Sequence, residues 1–88
     1  MLKEEFTLHS QYGFHLRPAQ VMVEKMSAFT SKVQVKKTDG TEADAKSLLG
    51  LMSLGLNDGQ TVEITIQGDD EEEAMKEMEK LFQSNFGE

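Results

Sequence analysis

Seven consecutive residues, Gly13-Phe14-His15-Leu16-Arg17-Pro18-Ala19, gather the chain's only arginine, its only proline and one of its two histidines. Each type can contribute to handling a phosphoryl group. A neutral imidazole is a nitrogen nucleophile near neutral pH. A guanidinium binds phosphate oxygens through a planar fork, where an ammonium offers only a point charge. Apolar periodicity begins at Arg17, so the group lies at a helix entrance, where unpaired N–H groups and a partial positive charge favour an anion. Gly13 lets the backbone turn tightly before the histidine. On residue types alone, His15 could equally be a cap-region residue and Arg17 a solvated charge. Ser47, ahead of the apolar run Leu48 to Leu56, has the ordinary reading of an N-cap.

Other chemistries are poorly supplied. The chain lacks cysteine, which removes thiolate catalysis, disulfides and Cys-based zinc sites. His9 and His15 lack zinc-type spacing, so no metal and no cofactor is expected. The acidic run Asp69 to Glu73 lacks the alternating ligands and central glycine of a calcium loop. Gly59 and Gly68 belong to turns, and there is no P-loop.

A net charge of −7 with one arginine argues against nucleic acid, which requires a basic stripe. That charge is uneven: residues 1–44 balance six acids with six bases, while residues 45–88 hold ten acids and only Lys46, Lys76 and Lys80. The start, Met-Leu-Lys-Glu-Glu-Phe, places acids where a signal peptide needs an apolar run. Ser47 to Leu56 is about half the length that crosses a bilayer. A cytoplasmic chain without membrane insertion is the expectation.

Eighty-eight residues allow a single domain, 1–88. Leu2, Phe6 and Leu8 share one parity of a half-buried strand, with His9 on the outward parity; Ser10 to Gly13 break it. Ala19, Met22, Val23, Met26 and Phe29 follow helical spacing, with Pro18 in the first turn and an end near Ala28–Ser31. Val33 and Val35 mark a second strand, Thr38-Asp39-Gly40-Thr41 a hairpin turn and Thr41 to Ala45 its return. Ser47 caps a short helix, Leu48 to Leu54, which Gly55 stops. Val62, Ile64 and Ile66 alternate in the clearest strand. A final helix carries Ala74, Met75, Met78, Leu81 and Phe82, and Asp69 with Glu72 or Asp70 with Glu73 has capping-box spacing. The order β-α-β-β-α-β-α predicts an α+β domain, a four-stranded antiparallel sheet covered on one face by three helices. The short helix has too many apolar residues for one face. Leu51 and Leu54 are expected inward, with Leu48, Leu49 and Met52 partly exposed as a docking patch.

Gly13 to Ala19 resembles the active-site signature of HPr, the histidine-containing phosphocarrier family of the bacterial phosphoenolpyruvate-dependent sugar phosphotransferase system. Lys46-Ser47-Leu48-Leu49-Gly50-Leu51-Met52-Ser53-Leu54-Gly55 resembles its regulatory serine region, and the element order matches its open-faced β-sandwich. The resemblance implies that His15 accepts a phosphoryl group through Nδ1 from phospho-Enzyme I and passes it to sugar-specific IIA domains. Arg17 would stabilise the group in transfer. Ser47 would be phosphorylated by an ATP-dependent HPr kinase/phosphorylase, as in Gram-positive versions, and that form would bind a catabolite-control transcription factor. The first two helices would form the shared interface, and the chain is expected to be a monomer.

The sequence departs from the family pattern at Leu16, where a small residue commonly follows the histidine, and at Gln20, where threonine is frequent. Both lie on the expected interface and so bear on partner preference. The interval from His15 to Ser47 is one residue longer than usual, placed in the Thr38–Thr41 hairpin. Two other readings are a regulatory HPr paralogue, including the nitrogen-related branch, and a ligand-binding regulatory module without phosphoryl transfer. The pairing of His15 with Arg17 argues against the last.

Overall fold

A computed structural model describes residues 1–10 and 13–87. The chain runs through strand β1 (Leu2–Thr7), helix α1 (Leu16–Met26), strands β2 (Lys32–Lys37) and β3 (Glu42–Asp44), helix α2 (Leu48–Ser53), strand β4 (Thr61–Gln67) and helix α3 (Glu71–Gln83), then a tight turn over Asn85–Gly87. The expected order is the observed one. The strand break expected at Ser10 to Gly13 falls partly on positions 11 and 12, outside the described residues.

The four strands form one antiparallel sheet in the order β1-β4-β2-β3. Alternation decides which face is covered. Val33, Val35, Val62, Ile64 and Ile66 point to the helices and are buried, whereas Lys3, Glu5, Lys32, Lys36 and Glu63 stand on the other parity. Register places Ile64 between Glu4 and Val35, with Ala43 beyond Val35. Glu4 therefore shares the inward parity of its strand, as does Lys37, which pairs with Val62.

Met22 and Met26 of α1, Leu51 of α2 and Ala74, Met78 and Leu81 of α3 close over this face. Burying each large apolar side chain stabilises the fold by about 1.5–3 kcal/mol. Two lysines tie helix ends to the rest. Lys37 Nζ donates to the carbonyl of Leu54, the C-cap of α2, at 2.6 Å. Lys46 Nζ donates to the carbonyl of Phe29, just beyond α1, at 2.7 Å. The first places a cation where helix carbonyls lack partners.

Two boundaries differ from expectation. Helix α1 stops at Met26, with Ser27 as C-cap, so Phe29 lies beyond the helix although it still packs on the core. Asp70 occupies the N-cap of α3 but makes no capping hydrogen bond. Its carboxylate reaches the segment between α1 and β2, accepting from the Thr30 and Ser31 amides. Glu71 instead accepts from the Gly68 amide at 3.1 Å.

Candidate functional site

The segment entering α1 is pinned from two directions. The Phe14 amide donates to the carbonyl of Leu56 at 3.0 Å, and the Phe14 ring is buried. Gly13 has φ +73°, and a Cβ there would stand 2.8 Å from the same carbonyl oxygen. A side chain at position 13 would thus meet both a left-handed backbone and a steric block. His15 follows with extended backbone (φ −83°, ψ −169°) as the N-cap of α1, and its carbonyl accepts from the Ala19 amide at 3.2 Å.

Asparagine or serine at this position would cap the helix with its side chain. His15 makes no such bond, and its imidazole is half-buried. Leu16, Arg17 and Pro18 form the first turn, which holds no acidic residue. The first-turn amides of a helix have no intrahelical acceptor, and Pro18, which has no amide hydrogen, is buried there. Arg17 is exposed and one turn-position from Leu16, so its guanidinium is accessible. An imidazole, a helix start and an exposed arginine therefore share one short stretch of backbone.

The second motif opens α2. Ser47 is its N-cap: the hydroxyl accepts from the Gly50 amide at 3.1 Å and the carbonyl accepts from the Leu51 amide at 3.0 Å. The serine is half-buried. Helices α1 and α2 pack against each other, which brings the two motifs to the same side of the sheet.

The family model for the PTS HPr component phosphorylation site matches residues 2–84. The chain belongs to the PTS HPr family. It is 36% identical over 88 residues to the phosphocarrier protein HPr of Xylella fastidiosa, covering all of this chain and 98% of that one. It is 34% identical over 87 residues to the phosphocarrier protein NPr of Escherichia coli, covering 99% and 97%. The HPr-like protein Crh of Halalkalibacterium halodurans is 37% identical over 76 residues, covering 86% and 89%. Among solved structures, an HPr of Thermoanaerobacter tengcongensis superposes with a TM-score of 0.93 at 40% identity, covering 100% and 98% of the two chains. Crh of Bacillus subtilis, a swapped dimer, superposes with a TM-score of 0.76 at 36% identity, covering 96% and 95%.

On this HPr-family scaffold the apolar residues of α2 divide as their number required. Leu51 and Leu54 are buried, Leu49 is 79% exposed and Met52 40% exposed. Leu48 is half-buried and packs on the core edge. On α1, Leu16 is 50% exposed and Gln20 is exposed. Apart from Met1 at the start of the chain, the large apolar side chains most exposed to water, Leu16, Leu49 and Met52, lie on the two helices that carry His15 and Ser47. Such exposure is uncommon unless a partner covers it.

Three contacts beside the two motifs leave little sign in the sequence. The Leu56 carbonyl anchors the loop, but a backbone acceptor leaves no trace in residue type. Gly50 admits the Ser47 hydroxyl: a Cβ there would stand 3.1 Å from it. Its signal was a glycine within a short apolar helix, three residues after the cap. Phe86 meets Phe14 edge-on at 5.4 Å between ring centroids, and a lone aromatic near the chain end was its only sign. Among the described residues, no group of three or more His, Asp or Glu could hold a metal ion. Nor is any helix long and apolar enough to cross a membrane.

Proposed function

We propose that this HPr-family phosphocarrier accepts its phosphoryl group on Nδ1 of His15 from phospho-Enzyme I and delivers it to IIA domains of sugar transporters. The observation that carries the reading is the placement of His15, an N-cap whose imidazole takes no part in capping, beside the accessible Arg17. In the transfer, the P–N bond of the donor phosphohistidine breaks as a new P–N bond forms to the unprotonated Nδ1, and Nε2 keeps its hydrogen. Phosphoryl transfer depends on alignment and charge stabilisation. The helix start and Arg17 supply the charge, and the fixed backbone of Phe14 and His15 supplies the alignment. Leu16, Gln20, Leu48, Leu49 and Met52 form the docking surface for both partners. The chain works in the cytoplasm as a monomer.

Ser47 is the regulatory site, phosphorylated by an ATP-dependent HPr kinase/phosphorylase to give a form that binds a catabolite-control transcription factor. A phosphate adds about −1.5 to −2 charges, here at the start of the helix that exposes Leu49 and Met52, and so weakens Enzyme I docking. NPr and Crh among the relatives support a second reading, in which the same chemistry serves regulation rather than sugar uptake.

Incubation with Enzyme I, Mg²⁺ and phosphoenolpyruvate tests the first reading. The expected product is an acid-labile, base-stable phosphate that His15→Ala abolishes. Arg17→Ala should slow its formation by about 100-fold, the scale of losing one positioned charge donor. Label that survives His15→Ala would overturn the assignment. Chase with sugar-specific IIA domains separates the two readings, because a purely regulatory paralogue retains the label.

A further inference from the structure

Four of the five phenylalanines form a continuous line of rings through the molecule. Phe6 of β1 stacks on Phe82 of α3 at 4.6 Å, with an interplanar angle of 13°. Phe82 meets Phe86 edge-on at 5.0 Å, and Phe86 meets Phe14 edge-on at 5.4 Å. The line starts at the sheet edge and ends on the residue immediately before His15.

Phe86 is held there in an unfavourable conformation. Its φ is +56°, and that of Asn85 is +51°. Asparagine tolerates the left-handed region; a phenylalanine with its Cβ rarely enters it. The turn is closed by the Gly87 amide donating to the Ser84 carbonyl at 3.0 Å, and the Phe86 side chain is buried. A turn over glycine would close without this conformational cost. The left-handed backbone delivers something specific, the Phe86 ring into the space between Phe82 and Phe14.

We infer that Phe86 is a positioning residue for His15. The inference rests on His15 being the phosphoryl acceptor. The Leu56 carbonyl fixes the Phe14 backbone, and Phe86 fixes the Phe14 ring. With both held, the backbone that carries His15 into α1 keeps one course, which sets where its imidazole starts from. Removing the ring frees Phe14 to take other rotamers and blurs the approach of Nδ1 to phosphorus, where small misplacements are costly. The docking residues of α1 and α2 stay in place, so the defect falls on the transfer step rather than on partner binding.

The test compares Phe86→Leu with Phe6→Leu, which removes a ring from the far end of the same line. Two quantities are read: the ¹H–¹⁵N signals of the His15 imidazole in the unphosphorylated protein, and kcat and KM for Enzyme I. Phe86→Leu should move the His15 signals and lower kcat about three- to tenfold with KM unchanged. Phe86→Tyr should restore both, and Phe6→Leu should match the wild type in both. Wild-type His15 signals and kcat in Phe86→Leu would overturn the inference, as would equal changes in Phe6→Leu. Should Phe86→Leu not fold, Phe86→Met is read in its place by the same criteria. A wild-type protein that takes no phosphate would remove the phosphocarrier reading, while the imidazole signals would still decide the role of Phe86.

Discussion

The carboxylate of Asp70 accepts both the amide and the hydroxyl of Ser31, and the amide of Thr30 at 2.8 Å. Ser31 is 1% exposed. This one side chain fastens the chain leaving α1 to the chain entering α3. The Ser31 hydroxyl, then the Thr30 amide, lower its pKa from an ordinary 3.8 to about 2.

That shift fixes the pH dependence of the tie. A carboxyl that ionises more readily when folded stabilises the native state above the unfolded value of 3.8 and loses that contribution as pH falls towards about 2. Asp70→Asn should therefore lower Tm at pH 7, and the deficit should shrink between about pH 4 and pH 2. Thermal melts of both proteins across that range provide the check. A deficit independent of pH would mean that the hydrogen-bond geometry, not the charge, holds the segments.

Glu4 should behave in the opposite sense. Burial first, and then a hydrogen bond and charge from Glu79, raise its pKa above the ordinary 4.5. A carboxyl that holds its proton more tightly when folded opposes folding once both states are ionised, and that penalty fades as pH falls through its folded value. Glu4→Gln should thus raise Tm at pH 7, with the gain vanishing on acidification. Wild-type Tm at neutral pH would show that the two carboxylates do not repel across the β1–α3 contact.

The Ser47 cap and Gly50 form a coupled pair. An alanine in a helix interior normally gains about 1 kcal/mol over glycine. At Gly50 the new Cβ would stand 3.1 Å from the Ser47 hydroxyl and disturb the cap. Gly50→Ala should yield no stabilisation in the wild-type background and about 1 kcal/mol in a Ser47→Ala background. Chemical denaturation of the four proteins of this cycle measures the coupling. Additive changes would refute it.

Local signals in the sequence served where local physics governs. The alternation around Ile64 gave β4, and Ser47 before an apolar run gave the N-cap of α2. Tertiary contacts decided the rest. Phe29 continues the helical spacing of Met22 and Met26, yet α1 ends at Met26, the amides of Ala28 and Phe29 bonding three residues back and those of Thr30 and Ser31 bonding the Asp70 carboxylate. The same bonds occupy the Asp70 carboxylate, so the Asp70–Glu73 form of the expected capping box does not close, and the N-cap of α3 is Asp70 rather than the Asp69 of the other form. The candidates His15 and Arg17 stood out by type and neighbourhood. The contacts that hold the adjoining Phe14 did not, because a Leu56 carbonyl and a ring 72 positions from Phe14 are joined only by folding.

The uncovered face of the sheet bears on traffic. The polar side chains there, Lys3, Glu5, Lys36 and Glu63 among them, lie across the sheet from His15, Arg17 and the exposed leucines. A molecule with one working side can be held by one partner at a time. If that side docks both partners of the proposed transfer, donor and acceptor must take turns, and a partner that grips too long slows the whole relay. Such an arrangement favours fast release over tight embrace, so turnover would be set by how quickly each encounter ends.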